Sequence, residues 1–214
     1  MNASPSIIAA PSRAPSALTS CVGAAWLLVV LAGAAFMMVY ANTPGPAGAA
    51  PLDWPGSTIV SPGQENPVLM MFLHPHCPCS TASVEELSRL MARCQGRVEV
   101  HVFFLRPARM TPDWVHSDSW QSAALIPGVA VHFDDEGREA LRFGAKTSGE
   151  VELFDASGHL VFHGGITAAR GHAGDNNGLD AVQEFILHQS LLQSNAPVFG
   201  CSLFDCRSSG SSTP

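Results

Sequence analysis

Residues 67–94 read PVLMMFLHPHCPCSTASVEELSRLMARC. The run from Pro67 to Leu73 is continuously apolar, which is the pattern of a strand buried on both faces. A cluster of His, Cys and Pro follows at once. From Ser80 to Cys94 the apolar residues fall at Val84, Leu87, Leu90 and Met91, the spacing of an amphipathic helix. Ser83 and Glu86 read as a capping box and Gly96 as the stop signal. Arg97 to Leu105 (RVEVHVFFL) then alternates, with Val98, Val100 and Val102 on one face. It reads as a second strand. A helix joins it to the first, so the two should be parallel.

The same patterns continue outward. Pro112 to Ile126 reads as helical, with Trp114 and Trp120 as packing residues. Gly128 to Phe133 is a weak strand, and Asp135 to Phe143 a short helix ended by Gly144. Glu150–Asp155 and His159–His163 form a hairpin across the turn Ala156-Ser157-Gly158. Asp180 to Leu192 is a last amphipathic helix. The order β-α-β-α-β-α-β-β-α predicts an α/β domain with a mixed central sheet.

Toward the N-terminus, Cys21 to Ala41 carries no charge. Twenty-one residues at ~1.5 Å each span roughly 31 Å, about the hydrocarbon core of a bilayer. The preferred reading is an uncleaved single-pass anchor over 18–41. The alternatives are a cleaved export signal, with Ala47-Gly48-Ala49 as a weak processing site, and a buried core helix. Arg13 and the α-amino group precede the span, while Asp53 and Glu65 follow it. The short stretch 1–17 is therefore expected in the cytoplasm, and the rest in the periplasm or outside. Residues 42–66, rich in Pro, Gly and Ala, read as a linker whose Trp54 and Ile59-Val60 dock on the domain. The domain is expected over 67–193, followed by a cysteine-containing tail over 194–214.

Composition excludes other classes. The 214 residues carry a net charge of −7, and a single Lys, Lys146, accompanies scattered Arg. Nucleic-acid binding needs clustered positive charge, so no nucleic-acid partner is expected. Residues 164–178 are Gly-rich but match no dinucleotide fingerprint and hold no phosphate-loop Lys.

The chemistry concentrates in His74-Pro75-His76-Cys77-Pro78-Cys79-Ser80. A helix N-terminus offers unpaired N–H groups and a partial positive charge, both of which favour a thiolate. Pro78 suits the first helical position, making Cys77 the cap and the more exposed sulfur. Cys77 is thus the candidate nucleophile, Cys79 the candidate resolving sulfur, and His76 the candidate modulator of the thiolate. No cofactor is required for that chemistry. The alternative is a soft-metal site for Cu(I), or Zn, built from His74, His76, Cys77 and Cys79. Two purely structural cysteines are the third reading.

The blocks HPHCPCSTASVEEL, TSGEVELFDASGHLVFHGGIT, ARGHAGDNNG and APVFGC together resemble the RedB-type proteins. These are membrane-anchored thioredoxin-like proteins of bacteria. The resemblance covers Pro67 to Cys206. It implies a thioredoxin-like fold and thiol-redox activity, with Cys77 and Cys79 at the active-site turn. Two departures from ordinary thioredoxins stand out. A single residue, Pro78, separates the cysteines, and Gly149 stands where thioredoxins carry a cis-Pro that helps dock the substrate backbone. The loss of that Pro leaves room for a ligand beside the sulfurs. Partners would be exported protein thiols or disulfides, including respiratory-chain or metalloprotein clients.

Other residues carry weaker signals. Cys201 is either bonded to Cys206 in a local disulfide or placed beside Cys77 as a third redox sulfur. Cys94 and Cys21 read as packing residues. Arg170, His172 and Asp175 lie in the Gly-rich loop, which either lines the site or simply connects. Peroxide reduction would need an Arg beside the nucleophile, and Arg106 and Arg109 are the candidates. Asp113, Asp134, Asp135 and Glu136 read as caps or solvated faces.

Overall fold

The computed structural model describes residues 17–63 and 65–204. These form two units, one ending at Val39 and the other beginning at Tyr40. The first is dominated by α1 (Ala17–Ala41), a 25-residue helix with no charged residue. It is long and apolar enough to cross a membrane.

The second unit is a thioredoxin-like α/β fold. Its elements run β1 (Val68–Leu73), α2 (Pro78–Cys94), β2 (Glu99–Arg106), α3 (Pro112–Val115), α4 (Asp118–Ala124) and β3 (Val129–Asp135). There follow α5 (Arg138–Phe143), β4 (Glu150–Phe154), β5 (Leu160–Gly165) and α6 (Asn177–His188). The five strands lie in the order β3-β2-β1-β4-β5. β1 pairs parallel to β2 and antiparallel to β4, and β4 and β5 form the expected antiparallel hairpin.

β1 is central, and all six of its residues are buried. Its alternate side chains divide between two cores. Leu69, Met71 and Leu73 join Val98, Val100, Val102 and Phe104 against α2 and α6. Val68, Met70 and Phe72 join Phe103, Phe143 and Phe154 on the opposite face. Burial on both sides requires apolar residues at every position, which is why the run 68–73 has no polar interruption.

Two local expectations are corrected. α2 begins at Pro78, not at Ser83, so the capping-box reading of Ser83 and Glu86 fails. Ser83 Oγ instead donates to the Cys79 carbonyl one turn back, and Glu86 is buried inside the helix packing. The helix expected over 112–126 is broken at His116. Ser117 starts a new one by accepting the Trp120 N–H on its hydroxyl, as a helix cap does.

The Pro/Gly/Ala-rich segment forms a strap along the domain without a helix or strand of its own. Ala49 N–H donates to Gly144 O at 3.0 Å and Trp54 N–H to Gly158 O at 2.8 Å. Trp54 packs edge-on against Phe143 and Phe154, with ring centroids 5.2 and 5.1 Å away. Val60 joins the same cluster, while Ile59 is exposed.

Candidate active site

β1 ends at Leu73, and the chain turns once before α2. Cys77 N–H donates to His74 O at 3.1 Å, closing that turn. Cys77 keeps extended backbone angles as the cap of α2, and Pro78 takes the first helical position. Ser148, on the turn before β4, braces this corner. Its hydroxyl accepts the His74 N–H at 2.9 Å and lies 2.9 Å from Ser80 Oγ. Beside it, Gly149 N–H donates to Phe72 O at 2.8 Å. Gly149 has φ +96°, and a Cβ there would meet Ser83 Oγ at 2.7 Å. A glycine is therefore required by conformation and by space. Glu150 holds the same turn from below, its carboxylate accepting the Lys146 and Thr147 N–H groups.

Three sulfurs meet at this corner. Those of Cys77, Cys79 and Cys201 lie within 4.8 Å of one another. Cys201 arrives on the tail, which runs antiparallel to residues 146–148. The Cys77 thiol is pulled from its ordinary 9.0 down to about 4. The largest cause is the S–H of Cys79 donating to it. Burial opposes this, and the N–H and S–H of Cys201 and the N–H of Cys79 reinforce it. The charge is thus concentrated on one sulfur of the three. Cys79 is pushed far up by its donation to Cys77, then by burial. Burial chiefly pushes Cys201 up. Arg170 pulls both of these back down.

Arg170 comes from the Gly-rich loop, so that loop lines the site. Its guanidinium donates to Gly200 O on the tail and to Thr43 O on the strap. Arg106 is instead ion-paired with Asp135 at 2.6 Å, and Arg109 is exposed. Neither acts on the sulfurs. Asp134 is the cap that its position suggested, accepting the Glu139 and Ala140 N–H groups of α5.

Several expectations for the cluster change. Cys77 is not the exposed sulfur: Cys77 and Cys79 are 6% and 7% accessible. The tail and the Gly-rich loop meet over them, and Cys201 is the exposed member of the three. Cys77 still borders a cleft of about 370 Å³, shared with Pro75, His76, Thr81, Ser117 and Ser119. The His74, His76, Cys77, Cys79 ligand set does not assemble. Among the described residues, the donors that converge are Cys77, Cys79 and Cys201. His76 is turned onto Trp114, with its Nε2 2.8 Å from that residue's carbonyl oxygen. Its neighbour His74 is the imidazole that feels the Cys77 charge, though burial dominates and lowers its basicity. The two rings meet edge-on, with centroids 6.3 Å apart, and both pack on Trp114. Cys94 is fully buried in the main core, as a packing residue. Cys21 is exposed on α1. Cys206 lies outside the described residues.

Sequence reasoning did not find Ser148 or the backbone of residues 200–201. Both act through main-chain geometry between distant segments, which leaves no periodic signal. The one available cue was Gly200 beside Cys201, a small residue that permits close approach.

No family model matches the chain, and no curated protein matches it. Solved structures do. A hypothetical protein from Sinorhizobium meliloti is similar at 20% identity and a TM-score of 0.57, over 72% of this chain and 94% of the other. An uncharacterized conserved protein from Geobacillus kaustophilus is similar at 18% identity and a TM-score of 0.55, over 76% and 90%. The exposed lipoprotein thioredoxin Etrx1 of Streptococcus pneumoniae aligns at 16% identity and a TM-score of 0.43, over 57% and 84%. What this chain shares with the first two is the fold.

Proposed function

We propose that the chain is a thiol–disulfide oxidoreductase of the RedB-like type, anchored in the cytoplasmic membrane by α1 with its domain on the outer side. The observation that carries this reading is the Cys77 sulfur at the cap of α2, within 4.8 Å of the Cys79 and Cys201 sulfurs, an arrangement whose donors lower the Cys77 pKa and favour its thiolate. In the forward step the Cys77 thiolate attacks one sulfur of a client disulfide. A Cys77–client disulfide forms, and the other client sulfur leaves as a thiolate. Cys79 then loses its proton and attacks the Cys77 sulfur. The client sulfur leaves and takes up that proton, and a Cys77–Cys79 disulfide remains. Run backward, the same steps hand the disulfide to a client dithiol. A thiolate held this low stabilises the reduced pair, so the backward direction is favoured. The clients are exported proteins that carry thiols or disulfides.

Trapping tests the reading. Cys201 also lies within 4.8 Å of Cys77, so Cys79→Ser is combined with Cys201→Ser to block resolution; mixed disulfides at Cys77 should then accumulate in cells and resolve on reduction into protein and client. If the Cys79→Ser, Cys201→Ser double variant captures no more than Cys77→Ser, exchange at Cys77 is refuted.

The converged sulfurs favour a second reading, a soft-metal site. Three thiolates at this separation suit Cu(I) in donor type, with Cys201 in the place the two histidines were expected to fill. Anaerobic titration of the reduced chain with Cu(I) separates the two. One equivalent bound by wild type and lost in Cys201→Ser supports the metal reading.

A further inference from the structure

The tail from Val198 to Leu203 does more than cover the site. Thr147 and Ser202 form an antiparallel bridge. Ser148 N–H donates to Cys201 O at 2.8 Å, and Leu203 N–H donates to Lys146 O at 2.8 Å. The approach is close enough that a Cβ on Gly200 would meet Ser148 O at 1.8 Å. The segment is held at both ends. Gly45 N–H donates to Val198 O at 2.8 Å, and Leu203 is 1% accessible within the second core. An extended segment seated in this way delivers its own cysteine to Cys77.

We propose that this tail is an internal client, seated on the edge 146–148 where an external peptide would have to lie, with Cys201 as the sulfur that exchanges with Cys77. The proposal rests on the exchange reading above and adds to it a docking edge and a third redox sulfur. Ser148 N–H can serve one extended partner at a time, so the tail and an incoming peptide compete for it. When Cys77 carries a client in a mixed disulfide, the Cys201 thiol loses its proton and attacks the Cys77 sulfur. The Cys77–client bond breaks, and the client sulfur leaves with that proton. The product is a Cys77–Cys201 disulfide, with the client disulfide as the oxidant that was consumed. Cys79 remains a thiol. A Cys77–Cys79 bond would close a small ring across the helix start, whereas Cys201 comes from a separate segment and escapes that constraint.

The test uses the reduced full chain in detergent, with oxidised glutathione as the client disulfide. Trypsin cuts at Arg89, leaving Cys77 and Cys79 on one peptide and Cys201 on another. Fragment sequencing of the unreduced digest should find Cys77 linked to Cys201. In Cys201→Ser that link should be lost, and Cys79 should displace the glutathione instead and leave a Cys77–Cys79 disulfide. Gly200→Val, which cannot seat the tail, should also lose the link. Its Cys77 should be alkylated by iodoacetamide about tenfold faster or more, since the lost main-chain hydrogen bonds no longer hold the cover down. If wild type yields a Cys77–Cys79 disulfide and no Cys77–Cys201 link, the internal client is refuted while exchange stands. If Cys77 forms no disulfide, with glutathione or within the chain, in any of the three proteins, the exchange reading itself fails.

Discussion

Consider the pH profile of Cys77 reactivity. At its ordinary value of 9.0 the thiol would be about 1% ionised at pH 7; held at about 4 it is fully ionised there. That is a gain of about a hundredfold in thiolate. The same shift weakens the nucleophile. With a Brønsted slope of about 0.4–0.5, five units cost about 100–300-fold in intrinsic rate. At pH 7 the two effects nearly cancel, so a rate measured there alone decides nothing. At pH 5 the thiolate gain is about 10⁴, and Cys77 should outrun an ordinary thiol by about 30–100-fold. Alkylation of the reduced chain by iodoacetamide, followed on the Cys77 peptide from pH 3 to 9, should be flat above pH 5 and bend near pH 4. Cys79→Ala removes the largest stabilising donor, so the bend should move to higher pH. Folding follows the same linkage with a definite sign. Between about 4 and 9 the unfolded thiol binds a proton that the folded one does not, so this group's stabilisation grows as pH rises and is lost as pH falls through about 4. A wild-type bend above pH 7, or no movement on removing Cys79, would refute the thiolate cradle.

Two further predictions concern the scaffold. Glu152 is fully buried between Met70 and His163, and among the described residues neither of its carboxyl oxygens has a hydrogen-bond partner. Burial pushes its acidity well down, so the native state keeps a proton that the unfolded chain loses above the ordinary 4.5. Wild-type stability should therefore fall as pH rises past that value, and Glu152→Met should remove the loss and stabilise by about 1–4 kcal/mol at pH 7, measured by denaturant unfolding. Trp54→Ala should cost about 3 kcal/mol, the low end for a large aromatic because Trp54 is half-buried, and should expose the strap to limited proteolysis.

The centre of the fold was legible in the sequence because its signals are local. The apolar run 68–73, the helical spacing of Val84, Leu87, Leu90 and Met91, and the alternation from Val98 each report their own burial. Gly144 ends α5 in the left-handed conformation, as a glycine after a short helix suggests. Pro78 marked the true start of α2 more clearly than Ser83, and its preference for the first helical turn should have outweighed the box pattern. The break at His116 had its cue in Ser117-Asp118, a cap followed by an acidic first turn. At the site, the Cys77 cap was readable, but the convergence of Cys201 was only one of two options. It depends on backbone hydrogen bonds between positions more than fifty residues apart, and hydropathy carries no trace of such pairing. The strap was half legible: Trp54 and Val60 signalled contact, whereas the carbonyl and N–H pairings that seat it did not.

The pairing of residues 200–203 with 146–148 has a practical consequence for anyone who handles this protein. A purification handle fused downstream of Leu203 pulls on the segment that covers the Cys77 sulfur, so reagent kinetics from such a fusion would describe the handle as much as the native chain. A fusion ahead of α1 leaves that shield alone, and comparing the two placements should precede any rate measurement on Cys77.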